Sequence, residues 1–209
     1  MFVFLVIACI IIGYLLGSFP TSYVVSKYWG KVNLLELGEA RVSAIYVYRE
    51  LGWIPFFMVF VVDLLKGMLA IYISQVLTGN IWVAMVTAVA TAVGHCWSVY
   101  IKYYGGQGAI VIFGMLFYTG ISFSKTHVPW EYALRGIIAL VSIVIFKKST
   151  LSTIIWLTLL AAVLFIEVLA FNEGTIAMAL LPLILLCVQF TKRRLVRWHE
   201  AHYKNERKC

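Results

Sequence analysis

Residues 54–77 read IPFFMVFVVDLLKGMLAIYISQVL, an apolar run whose only charges are Asp63 and Lys66. A helix rises about 1.5 Å per residue, so about 20 apolar residues cross a hydrocarbon core about 30 Å thick. The run is long enough to span a bilayer, and outward from it the pattern repeats. Upstream lies Phe2–Leu16, with Gly17-Ser18-Phe19-Pro20 to Tyr28 as its candidate continuation. Downstream come Ile81–Tyr100, Ala109–Phe123, Leu134–Phe146, Thr150–Phe171 and Thr175–Phe190. The run Leu134–Phe146 is short, and is expected to start near Trp130, to tilt, or to thin the bilayer locally. Only Asn172-Glu173-Gly174 separates the last two runs, as in a tight turn between antiparallel helices. The predicted fold is all-α: a polytopic integral membrane protein of about seven transmembrane helices, one domain over residues 1–209.

Composition supports a lipid solvent. Of the 209 residues, 63% are hydrophobic and 12% charged, against about 25% charged in soluble domains. An aromatic content of 15% suits two interfacial belts of Tyr and Trp. The net charge of +8, from 17 Lys and Arg against 9 Asp and Glu, raises three readings: nucleic acid, anionic headgroups and positive-inside orientation. The hydrophobicity disfavours nucleic acid. With the loop between the first two runs inside, fourteen of the seventeen basic residues fall inside: Lys27, Lys31, Arg41, Arg49, Lys102, Lys147, Lys148, Lys192, Arg193, Arg194, Arg197, Lys204, Arg207 and Lys208. Lys125 and Arg135 are left outside, and Lys66 lies within a run. The asymmetry predicts N-terminus out and C-terminus in, with loops carrying polar sites on the cytoplasmic side of the cell membrane. The basic tail is read as orientation-setting, with some attraction to membrane lipid headgroups. Cys9, Cys96, Cys187 and Cys209 show no CxxC spacing and no His/Cys cluster, so neither a disulfide framework nor a metal site is expected. Met1–Leu16 lacks a basic leader and a small-residue cleavage site, and is expected to stay as a helix.

Three internal features carry chemistry. Asp63 and Lys66 stand three residues apart on one helix face and can pair, either to fix helix packing or to meet a substrate. Gly94-His95 is followed by Gly105-Gly106-Gln107-Gly108, whose glycines permit positive φ and expose backbone amides just before the next helix. That loop reads either as a phosphate cradle or as a tight turn between spans. Residues 37–49 mix charges and aromatics, as an interfacial helix with Arg41 and Arg49 snorkelling does. Glu167 is a lone acid within an apolar run.

In this order, the features resemble the bacterial acyl-phosphate:glycerol-3-phosphate acyltransferase family over almost the whole chain. Gly17-Ser18-Phe19-Pro20 resembles its opening Gly-Ser-x-Pro. Asp63-Leu64-Leu65-Lys66-Gly67 matches its second-helix signature, and Gly94-His95 its Gly-His. Gly105-Gly106-Gln107-Gly108 stands where the family has Gly-Gly-Lys-Gly. The resemblance implies seven helices with motifs in cytoplasmic loops, and acyl transfer from acyl phosphate to glycerol 3-phosphate giving lysophosphatidate for membrane phospholipid synthesis. No metal and no tightly bound organic cofactor are implied. Because acyl phosphate is already activated, catalysis mainly requires orientation of two anions and neutralisation of their charge.

The motif positions depart from the family. In the first motif Gly38, Ala44 and Arg49 are retained, while Glu39 replaces Ser, Arg41 the first Asn, Ser43 the second Gly, Ile45 the Thr and Tyr46 the last Asn. Gln107 replaces Lys, and an ungapped register puts Thr191 and Arg194 at the His and Asn of the third motif. Gln107 donates hydrogen bonds but brings no charge. Glu39 beside an anion about 4 Å away costs about 4 kcal/mol at an effective dielectric near 20, which Arg41 can offset. The resemblance therefore assigns catalysis to His95, Gln107 and Arg41, phosphate contact to Arg49, Gly105, Gly106, Gly108 and Ser43, and a structural ion pair to Asp63 and Lys66. Two other readings stand beside it. One is a catalytically degraded relative that binds lipid or acyl phosphate or partners an active paralogue. The other is a transporter, suggested only by the helix bundle and by Asp63 with Lys66 and without paired broken helices to support it.

Overall fold

The structure, a computed structural model, describes residues 1–37, 42–123, 184–185, 187–192 and 194–196. The described elements are helical: α1 (Phe2–Ser18), α2 (Thr21–Trp29), α3 (Leu34–Leu37), α4 (Ala44–Leu51), α5 (Trp53–Thr78), α6 (Ile81–Cys96) and α7 (Ala109–Phe123), with a 3₁₀ turn at Val99–Ile101. The described positions between 184 and 196 are also helical. Phe2–Trp29, Trp53–Thr78 and Ile81–Ile101 are each long and apolar enough to cross a membrane. The predicted runs Leu134–Phe146 and Thr150–Phe171, with Glu167, lie outside the described residues, as do Asn172-Glu173-Gly174 and most of Thr175–Phe190.

Local chemistry sets the helix ends. α5 tolerates Pro55 because it sits in the first turn, where N–H groups have no intrahelical acceptor. It stops at Gly79, whose φ of 60° is left-handed. Asn80 then caps α6, its side chain accepting from Trp82 N at 2.8 Å and Val83 N at 3.3 Å. The surface segment forms α4 with Ile45, Tyr48 and Arg49 exposed, as an interfacial helix requires.

The bundle is apolar outside and small or polar inside. Along α5 the exposed residues are Met58, Val62, Leu65, Leu69, Tyr72 and Val76, while Val59, Asp63, Lys66, Gly67, Ala70, Ile71 and Ser74 are buried. Phe4, Ile7, Ile11 and Leu15 make the corresponding outer stripe on α1. In water such stripes would be penalised at about 25 cal/mol per Å²; in lipid they are solvated. Close backbone approach supplies the contacts within the bundle. A Cβ on Gly17 of α1 would overlap the Thr91 carbonyl of α6, and one on Gly94 of α6 would overlap the Tyr14 carbonyl of α1. Gly67 meets the Val111 carbonyl of α7, and Gly114 of α7 meets the Leu64 carbonyl of α5. Ile71, Ala88, Ala92, Val111, Met115 and Leu185 join α5, α6, α7 and the 184–196 segment in one buried cluster.

Candidate active site

The site begins with a break in the first span. Pro20 has no N–H to donate and cannot continue α1. Phe19 N instead reaches the Leu16 carbonyl at 3.3 Å. Pro20 takes φ −89° and ψ 70°, and Thr21 N bonds the Phe19 carbonyl across it at 3.0 Å, an inverse γ-turn. Such a break releases carbonyls that hydrocarbon cannot hydrate. Two are caught from elsewhere in the chain. Ser98 Oγ donates to the Ser18 carbonyl, and Lys66 Nζ donates to the Phe19 carbonyl at 3.1 Å. Lys66 Nζ also meets Asp63 Oδ1 at 2.8 Å, with both side chains buried. The i,i+3 pair anticipated from sequence is present, and Lys66 links α5 to the break.

The other wall comes from the end of α6 and the glycine loop. Tyr14 Oη donates to the Trp97 carbonyl at 3.0 Å, fixing the chain as it leaves α6. The chain then turns through Lys102 and Tyr103, with φ of 55° and 63°, around Ser98, whose carbonyl accepts from Tyr103 N at 2.8 Å. Gly106 N donates to the His95 carbonyl at 3.1 Å. A Cβ on Gly105 would overlap the His95 carbonyl, and one on Gly106 would overlap His95 Nε2. These two glycines are therefore required for close approach. The sequence reading assigned the loop's glycines to positive φ, and only Gly108, at 76°, uses it. Gly108 also opens α7, its carbonyl accepting from Ile112 N at 2.9 Å.

His95, Gly105 and Gly106 line one recess together with Ser18, Phe19, Pro20, Thr21, Ser22, Val42, Ser98 and Ile101. Other expected site residues stand differently. Ser43 caps α4, accepting from Tyr46 N at 3.2 Å, and Arg49 is exposed on α4; neither lines the recess. Arg41 and Glu39 lie outside the described residues. Gln107 is exposed, and its backbone carbonyl accepts from Gln189 Nε2 at 2.9 Å, docking the last described helical segment on the loop. Lys192, expected in the basic tail, is instead buried, with Nζ 5.3 Å from the Trp97 ring centre. Ser18, Thr21 and Ser98 also line the recess and were not among the expected site residues. The Gly-Ser-x-Pro motif contained Ser18, as part of a resemblance only.

Comparison with known proteins bears on the family and the fold. Residues 7–198 match the family described as glycerol-3-phosphate acyltransferase. A glycerol-3-phosphate acyltransferase of Halalkalibacterium halodurans is 33% identical over 150 residues, covering 71% of this chain and 69% of that protein. One from Carboxydothermus hydrogenoformans is 36% identical over 117 residues, covering 56% of this chain; the chain spans 59% of that relative's length. The crystal structure of PlsY (YgiH), an integral membrane glycerol 3-phosphate acyltransferase in its glycerol 3-phosphate form, superposes with a TM-score of 0.70 at 24% identity, over 90% of this chain and 88% of that one. This last likeness establishes the shared fold.

Proposed function

Because this chain belongs to the glycerol-3-phosphate acyltransferase family, we propose that it is a membrane enzyme transferring a fatty acyl group from acyl phosphate to glycerol 3-phosphate. The observation that carries the reading is the closure of Gly105 and Gly106 onto His95, opposite the broken first span. Those two glycines let the loop backbone pack directly on His95, which fixes the wall of the recess that faces the broken span. In the reaction the acceptor hydroxyl oxygen forms a new bond to the acyl carbon. The bond from that carbon to the phosphate oxygen breaks, and inorganic phosphate leaves with the proton balance made up at its oxygens. The enzyme's part is to align the two anions and exclude water. His95 shapes the loop. Arg41 and Arg49 supply positive charge from the segment between α3 and α5, and Gln107 supplies hydrogen bonds where relatives of this family carry Lys. The basic loops face the cytoplasm, residues 1–209 form one transmembrane domain, and the acyl chain lies among the apolar helices.

Detergent-purified full-length chain, mixed with acyl phosphate and glycerol 3-phosphate, is expected to form lysophosphatidate above a protein-free blank. Gln107→Lys is expected to raise the rate by restoring a cation next to the phosphates. Absence of product from both proteins, with helical circular dichroism intact, overturns the reading.

A further inference from the structure

Several hydroxyls in this bundle are satisfied by their own helix, while Ser18, Thr21 and Ser26 have no hydrogen-bond partner among the described residues. Thr87 and Thr91 donate to the carbonyls four residues back, each at 2.8 Å. Ser74 donates to the Ile71 carbonyl at 2.8 Å, and Thr78 to the Ser74 carbonyl at 2.7 Å. Ser18 and Thr21 break this habit. Their side chains are 0% and 4% exposed, and among the described residues neither hydroxyl oxygen has a hydrogen-bond partner. Both residues line the recess. A buried hydroxyl without a partner is unfavourable. Such groups persist where something absent from the free protein completes them.

The surroundings say what that something is. Thr21 opens α2, and the cap position, Pro20, offers no side-chain hydrogen bond to the first turn. The N-terminal end of a helix carries partial positive charge and N–H groups without intrahelical acceptors, so it favours an anion. Across the recess stands the glycine loop. Among the described residues, the side chains that line the recess supply hydroxyls and the His95 imidazole and no carboxylate.

We propose that the break between α1 and α2 is a phosphoryl-binding subsite, in which the Ser18 and Thr21 hydroxyls and the first turn of α2 hold the oxygens of a phosphate monoester or acyl phosphate. The inference rests on the acyltransferase reading for the owner of the phosphoryl group. The subsite itself is tested without catalysis.

The test measures inorganic phosphate affinity of the full chain in detergent by thermal shift, for the wild type, Ser18→Ala, Thr21→Val, Thr21→Ser and Ser26→Ala. Ser26 is a control: its hydroxyl is also buried and without a partner among the described residues, but it does not line the recess. Each of Ser18→Ala and Thr21→Val is expected to weaken binding about tenfold, the scale of one hydrogen bond to a charged group. Their ligand-free melting temperatures should be equal to or above wild type, because an unsatisfied group has been removed. Thr21→Ser should bind as wild type does, and Ser26→Ala should leave affinity unchanged. A purely structural role predicts the reverse, with lower melting temperatures and unchanged affinity. Equal affinity in all five proteins, or no phosphate binding by the wild type, overturns the subsite. Parallel titrations with glycerol 3-phosphate and a non-hydrolysable acyl phosphonate identify the owner: the ligand whose affinity falls in Ser18→Ala and Thr21→Val places its phosphoryl group here. Phosphate binding that depends on both hydroxyls in a protein making no lysophosphatidate leaves the subsite standing and removes the acyltransferase reading alone.

Discussion

The α1–α6 contact and the recess at its end are built from the same kinds of residue, and they differ in how completely those residues are used. Along the contact, Gly13 and Gly17 pack against Thr87 and Thr91, and both threonine hydroxyls bond within their own helix. At the recess, Ser18 and Thr21 have the same hydroxyl chemistry and no partner among the described residues. The first arrangement is finished in the free protein. The second leaves polar groups waiting beside a loop that admits no side chain. Stability and binding are thus divided between neighbouring stretches of the same span.

The strongest way to break the contrast is Asp63→Asn. It leaves Lys66 buried without its counter-ion, and loss of one partner of a buried pair costs about 3–5 kcal/mol. Thermal unfolding in detergent should show the largest loss among these substitutions, and Asp63→Leu combined with Lys66→Met should recover much of it. If Asp63→Asn melts like the wild type, the pair does not anchor the break. Gly17→Ala attacks the finished side of the comparison. Its Cβ would press on the Thr91 carbonyl, so a loss of about 1–3 kcal/mol is expected from overpacking, with activity per folded molecule retained. A smaller effect is expected from Gln189→Ala, which removes the hydrogen bond to the Gln107 carbonyl, worth about 1 kcal/mol. That change should lower the rate of lysophosphatidate formation more than the melting temperature. An unchanged rate would separate the 184–196 segment from the working of the loop.

Much of the fold could be read directly. α5 runs one residue beyond the predicted span at either end, and α7 coincides with its prediction, because Gly, Pro and Asn punctuate apolar runs whose length hydrocarbon dictates. The Asp63–Lys66 pair was legible for a local reason: i,i+3 spacing puts both on one face. The site was legible only in part. That Gly105 and Gly106 serve close approach depends on where His95 stands, and Gly106 and His95 meet through a turn whose left-handed residues are Lys102 and Tyr103. The capture of the Phe19 carbonyl by Lys66 joins residues 47 apart, and that of the Ser18 carbonyl by Ser98 joins residues 80 apart. No periodicity encodes such pairs. Lys192 was read from charge alone as part of an orientation-setting tail, and its burial against Trp97 is a tertiary outcome that charge counting does not register.

The timing of synthesis gives the Pro20 break a further meaning. Residues 1–29 leave the ribosome before Lys66 and Ser98 do, so the first span reaches the bilayer with the Ser18 and Phe19 carbonyls still lacking those two donors. The nascent helix is incomplete at that point, and later helices must arrive to close it. The partially inserted chain therefore gains a reason to hold α1 near the translocation machinery until α5 and the end of α6 are available, and assembly order becomes part of how this bundle is made.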